Sequence, residues 1–449
     1  MQKLFGTDGI RGEANQPPIT GQTAFEIGRA VACYFSSQHG CDRIIVGKDT
    51  RISGDMLEHA VAAGVCAAGS DVLLAGVVPT PAVAYLVEQS EKSAGIVISA
   101  SHNPWYDNGI KVFGNEGRKL SEAVESEIEA LIARSAEQTG QAGRRQIGRV
   151  GPIPDAAATY IDFLCKSVSA DLLEGLSVVI DCAHGAASAV APAVFQRLGA
   201  ALTVLNAEPD GRNINADCGS EHTHELIQAV RNTGAHIGLA FDGDADRLIA
   251  VDEKGRVVAG DQLIAICAAH YKREDRLENN CVVTTVMSNI GLKRALEKLD
   301  ITHAVSGVGD RYVMEKMVAA GAVVGGENSG HLIFKDCHTT GDGILSALKT
   351  LEAMQVQGAP LSQLASIMEV FPQELLAVNV KQKPDLENLP EVSRVIADVE
   401  ARLGGRGRVL VRYSGTQPVC RVMVEGPDQK VTADYCRKIT EAVSACIGV

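Results

Sequence analysis

Ser101 and His102 stand side by side, directly after the apolar run at 96–98. That run predicts a buried strand, which would deliver the serine into a loop of polar residues and glycine. Ser101 could act as a nucleophile, or it could carry a phosphate. The hydrolase pattern G-x-S-x-G is not met, because Ser99 and Asn103 stand where that turn needs glycines. A loop serine that makes only a local turn hydrogen bond is the alternative.

Three aspartates, Asp242, Asp244 and Asp246, alternate with small residues in the segment LAFDGDADRLIAVDE (239–253). Carboxylates at this spacing form a dense set of hard oxygen ligands, which favours Mg²⁺ or Ca²⁺. An EF-hand would need glycine where this chain has Arg247, and its flanks would be helical rather than strand-like. The pattern predicts a strand-to-strand loop that holds Mg²⁺, with a solvated acidic turn as the alternative. Without a cation, the carboxylates would raise each other's pKa values.

Two further loops carry groups that suit a phosphorylated polyol. Glycines flank Glu327 and Ser329 in VVGGENSGHLIF, so the backbone can approach a ligand closely, and His331 can exchange a proton. The segment RYSGTQPVCR supplies guanidiniums, hydroxyls and backbone N–H groups, which suit a phosphate. The candidate phosphate ligands are Arg412, Ser414, Gly415, Thr416 and Arg421. Ordinary turns without a ligand are the alternative for both segments.

These four loops together indicate phosphoryl transfer on a small phosphorylated polyol. The chain has neither a Walker A pattern nor G-x-G-x-x-G, so no nucleotide or dinucleotide site is indicated. Its net charge of −13 argues against binding nucleic acid over a broad surface. The cations that an anionic substrate needs must therefore be gathered locally. Lys111 and Arg247 stand beside the serine and aspartate loops, and Arg11 and Arg311 stand in the segments FGTDGIRG and GVGDRYVMEKM.

The elements that position these loops recur along the chain. Three segments, 42–76, 176–205 and 280–307, each read as an apolar strand, a polar turn, a helix with apolar residues three and four apart, and a second strand. They predict three related α/β domains with mixed sheets whose parallel strands are buried on both faces. After residue 369 the pattern changes to strands around one or two helices, which predicts a small C-terminal α+β domain.

Domain boundaries are expected in polar stretches, the first of them at 134–152. The predicted domains are 1–150 with the serine loop, 151–252 with the metal loop, 253–369 with the sugar-recognition loop, and 370–449 with the phosphate loop. At 449 residues the chain is too long for one ordinary core, which agrees with several domains.

Cysteine usage and the N-terminal sequence bear on the compartment. The 12 cysteines are scattered and form no C-x-x-C pair, which is typical of free thiols in a reducing compartment. The N-terminal MQKLFGTDGIRG has no apolar signal-peptide core, and no run approaches the ~18 apolar residues of a membrane span. We therefore expect a cytoplasmic protein without a membrane partner. The sequence leaves the oligomeric state open, with a homodimer among the alternatives.

Seven motifs, in order along nearly the whole chain, resemble those of the α-D-phosphohexomutase superfamily. The motifs are FGTDGIRG, ISASHNPWYDNGIKVF, DGDADR, GVGDRYVMEKM, GGENSGH, TTGDGILSAL and RYSGTQP. Within the superfamily, the first, fourth and sixth motifs are most similar to the bacterial branch that acts on glucosamine phosphates. The resemblance implies four domains around a central cleft: three α/β domains of common topology and a C-terminal domain.

The resemblance also implies a role for each candidate residue. Ser101 would be a phosphoserine, and one Mg²⁺ would be held by Asp242, Asp244, Asp246 and a phosphate oxygen on Ser101. The sugar would contact Glu327, Ser329 and His331, and the phosphate loop would bind the phosphate that does not react. The candidates for stabilising charge beside Ser101 are Arg11, Lys111 and Arg247, and those for the general base are Lys111, His331 and then His102. Arg247 and Arg311 are also expected to bind the substrate. A lysine at 111, near Arg11 and Arg247, could have a depressed pKa that suits it to act as a general base.

The implied reaction interconverts glucosamine 6-phosphate and glucosamine 1-phosphate, which feeds amino-sugar nucleotide and cell-wall synthesis. Glucosamine 1,6-bisphosphate would be its intermediate and activator. Two residues depart from the superfamily pattern: Gln417 replaces an acid in the phosphate loop, and Ala245 replaces a common glycine in the metal loop. The alternatives are a phosphomannomutase/phosphoglucomutase, a non-catalytic sugar-phosphate sensor and, more distantly, a serine hydrolase.

Overall fold

The computed structural model describes residues 3–134, 146–414 and 418–449. The chain divides into two units, one formed by 1–287 with 301–367 and the other by 288–300 with 368–449. The predicted break at 134–152 lies in part outside the described residues. All twelve cysteines are described, and all are unpaired. Among the described residues, no helix combines the length and the apolar character needed to cross a membrane.

The first unit begins with a six-stranded mixed sheet. Its strands are β1 (Ile10–Glu13), β2 (Arg43–Lys48), β3 (Asp71–Val77), β4 (Ser93–Ile98), β5 (Asp107–Phe113) and β6 (Val150–Pro152), in the order β1-β5-β4-β2-β3-β6. The accompanying helices are α1 (Gly21–His39), α2 (Gly54–Ala68), α3 (Thr80–Glu88) and α4 (Glu122–Ala133). β2 is parallel to β3 and β4, whereas β5 is antiparallel to β4 and β1. The predicted domain boundary at 150/151 falls within β6.

A second mixed sheet follows in the same unit. Its strands are β7 (Ser177–Asp181), β8 (Ala201–Leu205), β9 (Ile237–Phe241), β10 (Leu248–Asp252) and β11 (Val257–Val258), in the order β11-β10-β9-β7-β8. The helices are α5 (Ala156–Lys166), α6 (Ala191–Arg197) and α7 (His224–Thr233). β9 and β10 are antiparallel neighbours, so the aspartate segment joins two strands, as predicted, and is not an EF-hand.

A third, four-stranded sheet completes the first unit. Its strands are β12 (Cys281–Thr285), β13 (Thr302–Ser306), β14 (Val324–Gly326) and β15 (Leu332–Phe334), in the order β13-β12-β14-β15. The helices of this part of the sequence are α8 (Gly260–Arg273), α9 (Ile290–Lys298), α10 (Asp310–Ala320), α11 (Gly343–Gln357) and α12 (Leu361–Leu364), of which α9 is grouped with the second unit. The three strand–helix–strand predictions are thereby confirmed, and so are mixed sheets in three related domains.

The central strands of the three sheets are buried on both faces. Every residue of β4, β9 and β12 is buried. Such strands need helices on both sides, which explains why their sequences are continuous apolar runs rather than alternating ones. Loops that follow the carboxyl ends of β4, β9 and β14 carry Ser101, the three aspartates and the Glu327 segment, which is the usual place for a ligand in an open α/β sheet.

The second unit contains the C-terminal α+β domain that the sequence predicts. Its strands and helices are β16 (Gln373–Asn379), α13 (Pro390–Leu403), β17 (Arg408–Tyr413), β18 (Val419–Glu425) and α14 (Gln429–Ile447). The three strands form an antiparallel sheet in the order β16-β18-β17. Its core packs the sheet residues Val422 and Val424 with Val399, Ile439 and Val443 of the two helices.

Candidate active site

The serine loop after β4 and the aspartate loop after β9 meet in the first unit. Ser101 Oγ donates a hydrogen bond of 2.5 Å to Asp242 Oδ2 and lies 3.3 Å from Nδ1 of His102. Ser101 has a φ of 53°, in the left-handed region. A residue with a Cβ adopts this conformation only when its surroundings hold it there, and such residues are frequent at functional sites.

Arg51, in the loop after β2, holds the serine loop in place. The side chain is buried, and its guanidinium donates to four backbone carbonyl oxygens, those of Ser101, Asn103, Pro104 and Asp107. Its Nε donates to Asp49 Oδ2 at 2.8 Å, and the same carboxylate oxygen accepts from Ser99 Oγ at 2.6 Å. Ser99 Oγ in turn accepts from the backbone N–H of Ser101 at 2.9 Å. These hydrogen bonds hold both the backbone N–H and the carbonyl oxygen of Ser101.

The three aspartates of the metal loop fit a divalent cation. All three are buried, and one carboxylate oxygen from each lies within 4.8 Å of the others. Oδ1 of Asp244 and Oδ1 of Asp246 are buried and have no hydrogen-bond partner in the part of the chain that is described. Buried carboxylate oxygens without partners are costly, and a hard cation would satisfy them. A Cβ on Gly243 would stand 2.6 Å from the carbonyl oxygen of Ser101, so glycine allows the two loops this close approach.

The electrostatics of the aspartates also indicate a missing positive charge. Burial and the like charges of Asp246 and Asp244 raise the pKa of Asp242 well above its usual range, as predicted for a cation-free triad. Burial also acts to raise the pKa of Asp246, but Lys111, His331 and Arg247 outweigh it and hold that pKa well below the usual range. A cation beside the triad would relieve the repulsion at Asp242.

Lys111 is the main cation already present beside the triad. Its buried Nζ lies 2.7 Å from Asp244 Oδ2, 3.2 Å from Asp246 Oδ2 and 3.3 Å from Asp8 Oδ2. Burial alone would lower the pKa of Lys111, but these carboxylates raise it well above its usual range. The expectation of a depressed pKa is therefore wrong. It gave weight to the neighbouring arginines, whereas Asp244, Asp246 and Asp8 outweigh them.

His331 follows the turn between β14 and β15 and faces two carboxylates. Its Nδ1 lies 3.7 Å from Asp246 Oδ2, and its Nε2 lies 3.4 Å from Asp310 Oδ2. Burial lowers the pKa of His331, but Asp246 and Asp310 offset this and leave it above the usual range. A Cβ on Gly341 would stand 2.2 Å from His331 Nε2, so the backbone of the TTGDGI motif supports the imidazole from behind.

A cavity of about 250 Å³ adjoins this group of side chains. Of the predicted residues, it is lined by Asp246, Arg247, Glu327, Ser329 and His331. Glu327 Oε1 accepts from the backbone N–H of Gly309 at 3.0 Å, and burial raises the pKa of its carboxyl. We call this cavity the cleft. Its walls combine acceptors and donors at short range, which suits a polyhydroxy ligand.

Arg11, His102 and Arg311, like Lys111, are predicted residues that do not line the cleft. Arg11 pairs with Asp8, and its Nη1 lies 3.4 Å from the carbonyl oxygen of Ala100 in the serine loop. Burial and the nearby Arg247 and Arg11 lower the pKa of His102 to about 4, so its imidazole is neutral at pH 7. The guanidinium of Arg311 forms a two-point ion pair with Glu125 and lines a different cavity.

In the second unit, two arginines of the predicted phosphate loop are cross-strand neighbours. Arg412 of β17 pairs in register with Arg421 of β18. Burial and the charge of Arg421 lower the pKa of Arg412. Like charges directly opposite each other destabilise a sheet, so an anion between them would be stabilising. Lys383 Nζ donates to the carbonyl oxygen of Ser414 at 2.6 Å and adds a third cation. Gly415, Thr416 and Gln417 lie outside the described residues.

Family models of phosphoglucomutase/phosphomannomutase match the chain from end to end. Alpha/beta/alpha domains I, II and III match residues 2–139, 158–255 and 259–371, and the C-terminal domain matches residues 375–442. The chain is 52% identical to phosphoglucosamine mutase from Syntrophus aciditrophicus, with 100% of each chain covered. It is 49% identical to phosphoglucosamine mutase from Myxococcus xanthus, covering 100% of this chain and 98% of the relative.

The chain belongs to the phosphoglucomutase/phosphomannomutase family. A solved family member from Burkholderia thailandensis has a TM-score of 0.81 at 25% identity, covering 99% of this chain and 98% of its own. The fold is also similar to that of Aspergillus fumigatus N-acetylphosphoglucosamine mutase, solved in complex with GlcNAc-6P and magnesium. That structure has a TM-score of 0.71 at 16% identity and covers 99% of this chain and 96% of its own.

The site of this phosphoglucomutase/phosphomannomutase family member contains residues that the sequence analysis missed. They are the serine-loop supports Asp49, Ser99, Arg51 and Asn215, the cleft residues Asp8, Lys119 and Asp310, and Lys383 near the phosphate loop. Asp8 and Asp310 stand inside the motifs FGTDGIRG and GVGDRYVMEKM, so those motifs held a usable signal. Ser99 likewise stands inside the motif ISASHNPWYDNGIKVF. No motif marks the others, because their roles depend on contacts with residues of distant segments.

Proposed function

We propose that this protein is a phosphoglucosamine mutase that interconverts glucosamine 6-phosphate and glucosamine 1-phosphate through a phosphoserine at position 101. The observation that carries the proposal is the 2.5 Å hydrogen bond between Ser101 Oγ and Asp242, a member of the buried aspartate triad. A hydroxyl held against a cation site is placed to carry a phosphoryl group. Two relatives of this name, about half identical over the whole chain, support glucosamine as the sugar.

The first transfer moves the phosphoryl group from the enzyme to the sugar. The O1 hydroxyl of glucosamine 6-phosphate attacks the phosphorus on Ser101, the bond between phosphorus and Oγ breaks, and a bond between phosphorus and O1 forms. The product is glucosamine 1,6-bisphosphate. In the second transfer Oγ of Ser101 attacks the 6-phosphate, which restores the phosphoserine and releases glucosamine 1-phosphate. Each attacking hydroxyl gives up one proton and each leaving oxygen takes one.

Asp242, Asp244 and Asp246 would hold Mg²⁺ together with a phosphate oxygen on Ser101. When bound, the cation offsets the charge of the transferring phosphoryl group. The chain adds Lys111, Arg11 and Arg247 around the same point, which share that electrostatic role. The walls of the cleft keep water away from the phosphoserine, which would otherwise be hydrolysed.

Proton transfer is assigned to His331 on its position. His331 lines the cleft, whereas Lys111 and His102 do not. Glu327 and Ser329 line the same cleft and would hold the sugar hydroxyls or its amine. Arg412, Ser414, Gly415, Thr416 and Arg421 would bind the phosphate that is not being transferred. Arg311 is left out of this set because its guanidinium is paired with Glu125.

Free thiols at all twelve cysteines support a reducing compartment, for which we propose the cytoplasm.

The test is a comparison of glucosamine, glucose and mannose 6-phosphates as substrates, with Mg²⁺ and the matching 1,6-bisphosphate present. ³¹P NMR follows conversion of the 6-phosphate into the 1-phosphate. We expect kcat/KM to be highest for glucosamine 6-phosphate. Faster turnover of glucose or mannose 6-phosphate would favour a phosphomannomutase/phosphoglucomutase, and no turnover of any of them would favour a non-catalytic sensor.

A further inference from the structure

A second cavity lies next to the cleft and has no part in the proposed reaction. It measures about 330 Å³ and is lined by residues of α10, β15 and the segment before α4. Lys119 and Asp310 line both this cavity and the cleft, so the ion pair between them borders both spaces. The volume falls at the lower end of the range for small-molecule sites. We call this space the rear cavity.

The wall of the rear cavity has an apolar part and a cationic part. Met314, Val318 and Ile333 supply the apolar part. Arg118 and Arg311 belong to the cationic part, and the Nε of each is buried without a hydrogen-bond partner among the residues that the structure describes. The Arg118 side chain as a whole is 43% exposed, and its Nη1 lies 3.4 Å from Glu116 Oε2. Arg311 is only 7% exposed, and its other guanidinium nitrogens are taken by Glu125. A buried donor without an acceptor is unfavourable, and a ligand oxygen would satisfy it.

We propose that the rear cavity binds a small carboxylate that carries an apolar group. The carboxylate oxygens would accept from Nε of Arg118 and Nε of Arg311, and the apolar group would pack on Met314, Val318 and Ile333. A monoanion suits the cavity better than a phosphate dianion, because the acidic side chains of Asp310 and Glu315 also line it. The apolar wall likewise favours a ligand with a hydrocarbon body over a sugar phosphate.

A ligand bound in the rear cavity would affect the cleft through Lys119, which borders both spaces. The ammonium group of Lys119 pairs with Asp8 and with Asp310, and Oδ2 of Asp310 lies 3.4 Å from Nε2 of His331. A carboxylate beside Lys119 would compete for its ammonium and weaken the pair with Asp310. The position of His331 would change while the residues that contact the sugar stayed in place. The ligand would therefore lower kcat and leave KM unchanged.

The binding test uses 4-phenylbutyrate as the probe and isothermal titration calorimetry on the full chain. The variant V318W fills the cavity, and R118Q removes one of its unpartnered donors. V356W is the matched control, since Val356 is 53% exposed on α11 and Val318 is 50% exposed on α10. We expect saturable binding to the unsubstituted protein, at least tenfold weaker binding to V318W and R118Q, and a change within twofold for V356W. The neutral alcohol 4-phenylbutan-1-ol should bind at least tenfold more weakly.

Several results would overturn the proposal. They are the absence of saturable binding, equal binding to all four proteins, and equal affinity for the alcohol and the carboxylate. Inhibition kinetics test the same point. Competitive inhibition by 4-phenylbutyrate against glucosamine 6-phosphate would place the probe in the cleft and contradict binding in the rear cavity. The calorimetric arm does not depend on mutase activity, so a failure of the proposed function and a failure of this proposal are distinguishable.

Discussion

Substitution of Arg51 by lysine tests whether the serine loop needs its support for catalysis. Arg51 donates to four carbonyl oxygens of that loop and to Asp49. A lysine keeps the charge that Asp49 needs, but its single ammonium group cannot span the same set of carbonyls. If three of the carbonyl bonds are lost at ~1 kcal/mol each, the loop loses ~3 kcal/mol of the free energy that holds it. Ser101 would then leave its left-handed conformation more readily, since that conformation costs ~1–3 kcal/mol.

A loss of ~3 kcal/mol in positioning corresponds to a fall in kcat of about two orders of magnitude. KM for glucosamine 6-phosphate should change little, because Arg51 does not line the cleft. The assay is steady-state mutase kinetics at a temperature where urea titration shows the variant to be folded.

The matched control is Arg29→Lys. Arg29 is a buried arginine of α1 that pairs with Glu26 and donates to the carbonyl oxygens of Leu131 and Arg134, away from Ser101. Its loss should lower the free energy of unfolding by a similar amount without the fall in kcat. If both variants lose the same activity, or if R51K keeps nearly all of its activity, the positioning argument is refuted.

Three further predictions concern the metal, the pH dependence of stability and the phosphate loop. Asp244→Asn removes one charge from the triad and should weaken Mg²⁺ binding at least tenfold, measured by titrating activity against Mg²⁺. The control D252N, at the buried Asp252 of β10, should leave Mg²⁺ binding unchanged. Equal Mg²⁺ affinity in both variants would count against the metal site. Burial raises the pKa of Asp342 to about 6, against ~3.9 in an unfolded chain. The folded state therefore holds this proton more tightly, so the stabilising contribution is full below about pH 4 and is lost as the pH rises towards 6. D342N keeps an N-cap side chain for α11, and its urea unfolding midpoint should depend less on pH between pH 4 and pH 6.5 than that of the unsubstituted protein. The same dependence on pH in both proteins would be inconsistent with this pKa. Finally, Arg421→Met should raise KM for glucosamine 6-phosphate about tenfold with kcat within threefold, since one charge-assisted contact is worth ~1.5 kcal/mol, and R437M on the exposed face of α14 is its control.

The elements were predictable because their patterns are local. The segment at 42–76 encodes β2, α2 and β3 through an apolar run, a helical spacing and a glycine after the helix, and the segment at 176–205 does the same. The segment at 280–307 shows the apolar run and the helical spacing without that glycine. The change after residue 369 was equally visible, since strands of an antiparallel sheet read differently from buried parallel ones. The inclusion of 288–300 in the second unit was not predicted, because the side-chain pattern of α9 does not say which neighbour covers its apolar face.

The charged network around the site was only partly predictable. The aspartate triad was predictable from the spacing of its residues, and its loop joins two strands as expected. The pKa direction of Lys111 could not be obtained in the same way, because it depends on how closely the ammonium group approaches Asp244, Asp246 and Asp8, each more than a hundred residues away in the chain. The Arg51 network has the same origin: its donors and acceptors come from loops after β2 and β4, and their meeting follows from the sheet order.

The most direct measurement is the fate of a labelled phosphoryl group on the enzyme. The protein is mixed with glucosamine 1,6-bisphosphate labelled with ³²P, digested, and mapped by peptide, with S101A and the buried-serine control S346A beside it. We expect label on the peptide that contains Ser101, loss of that label to unlabelled glucosamine 6-phosphate, and neither labelling nor turnover in S101A. Turnover by S101A near that of S346A, or label that stays on another residue, would contradict a phosphoserine at this position.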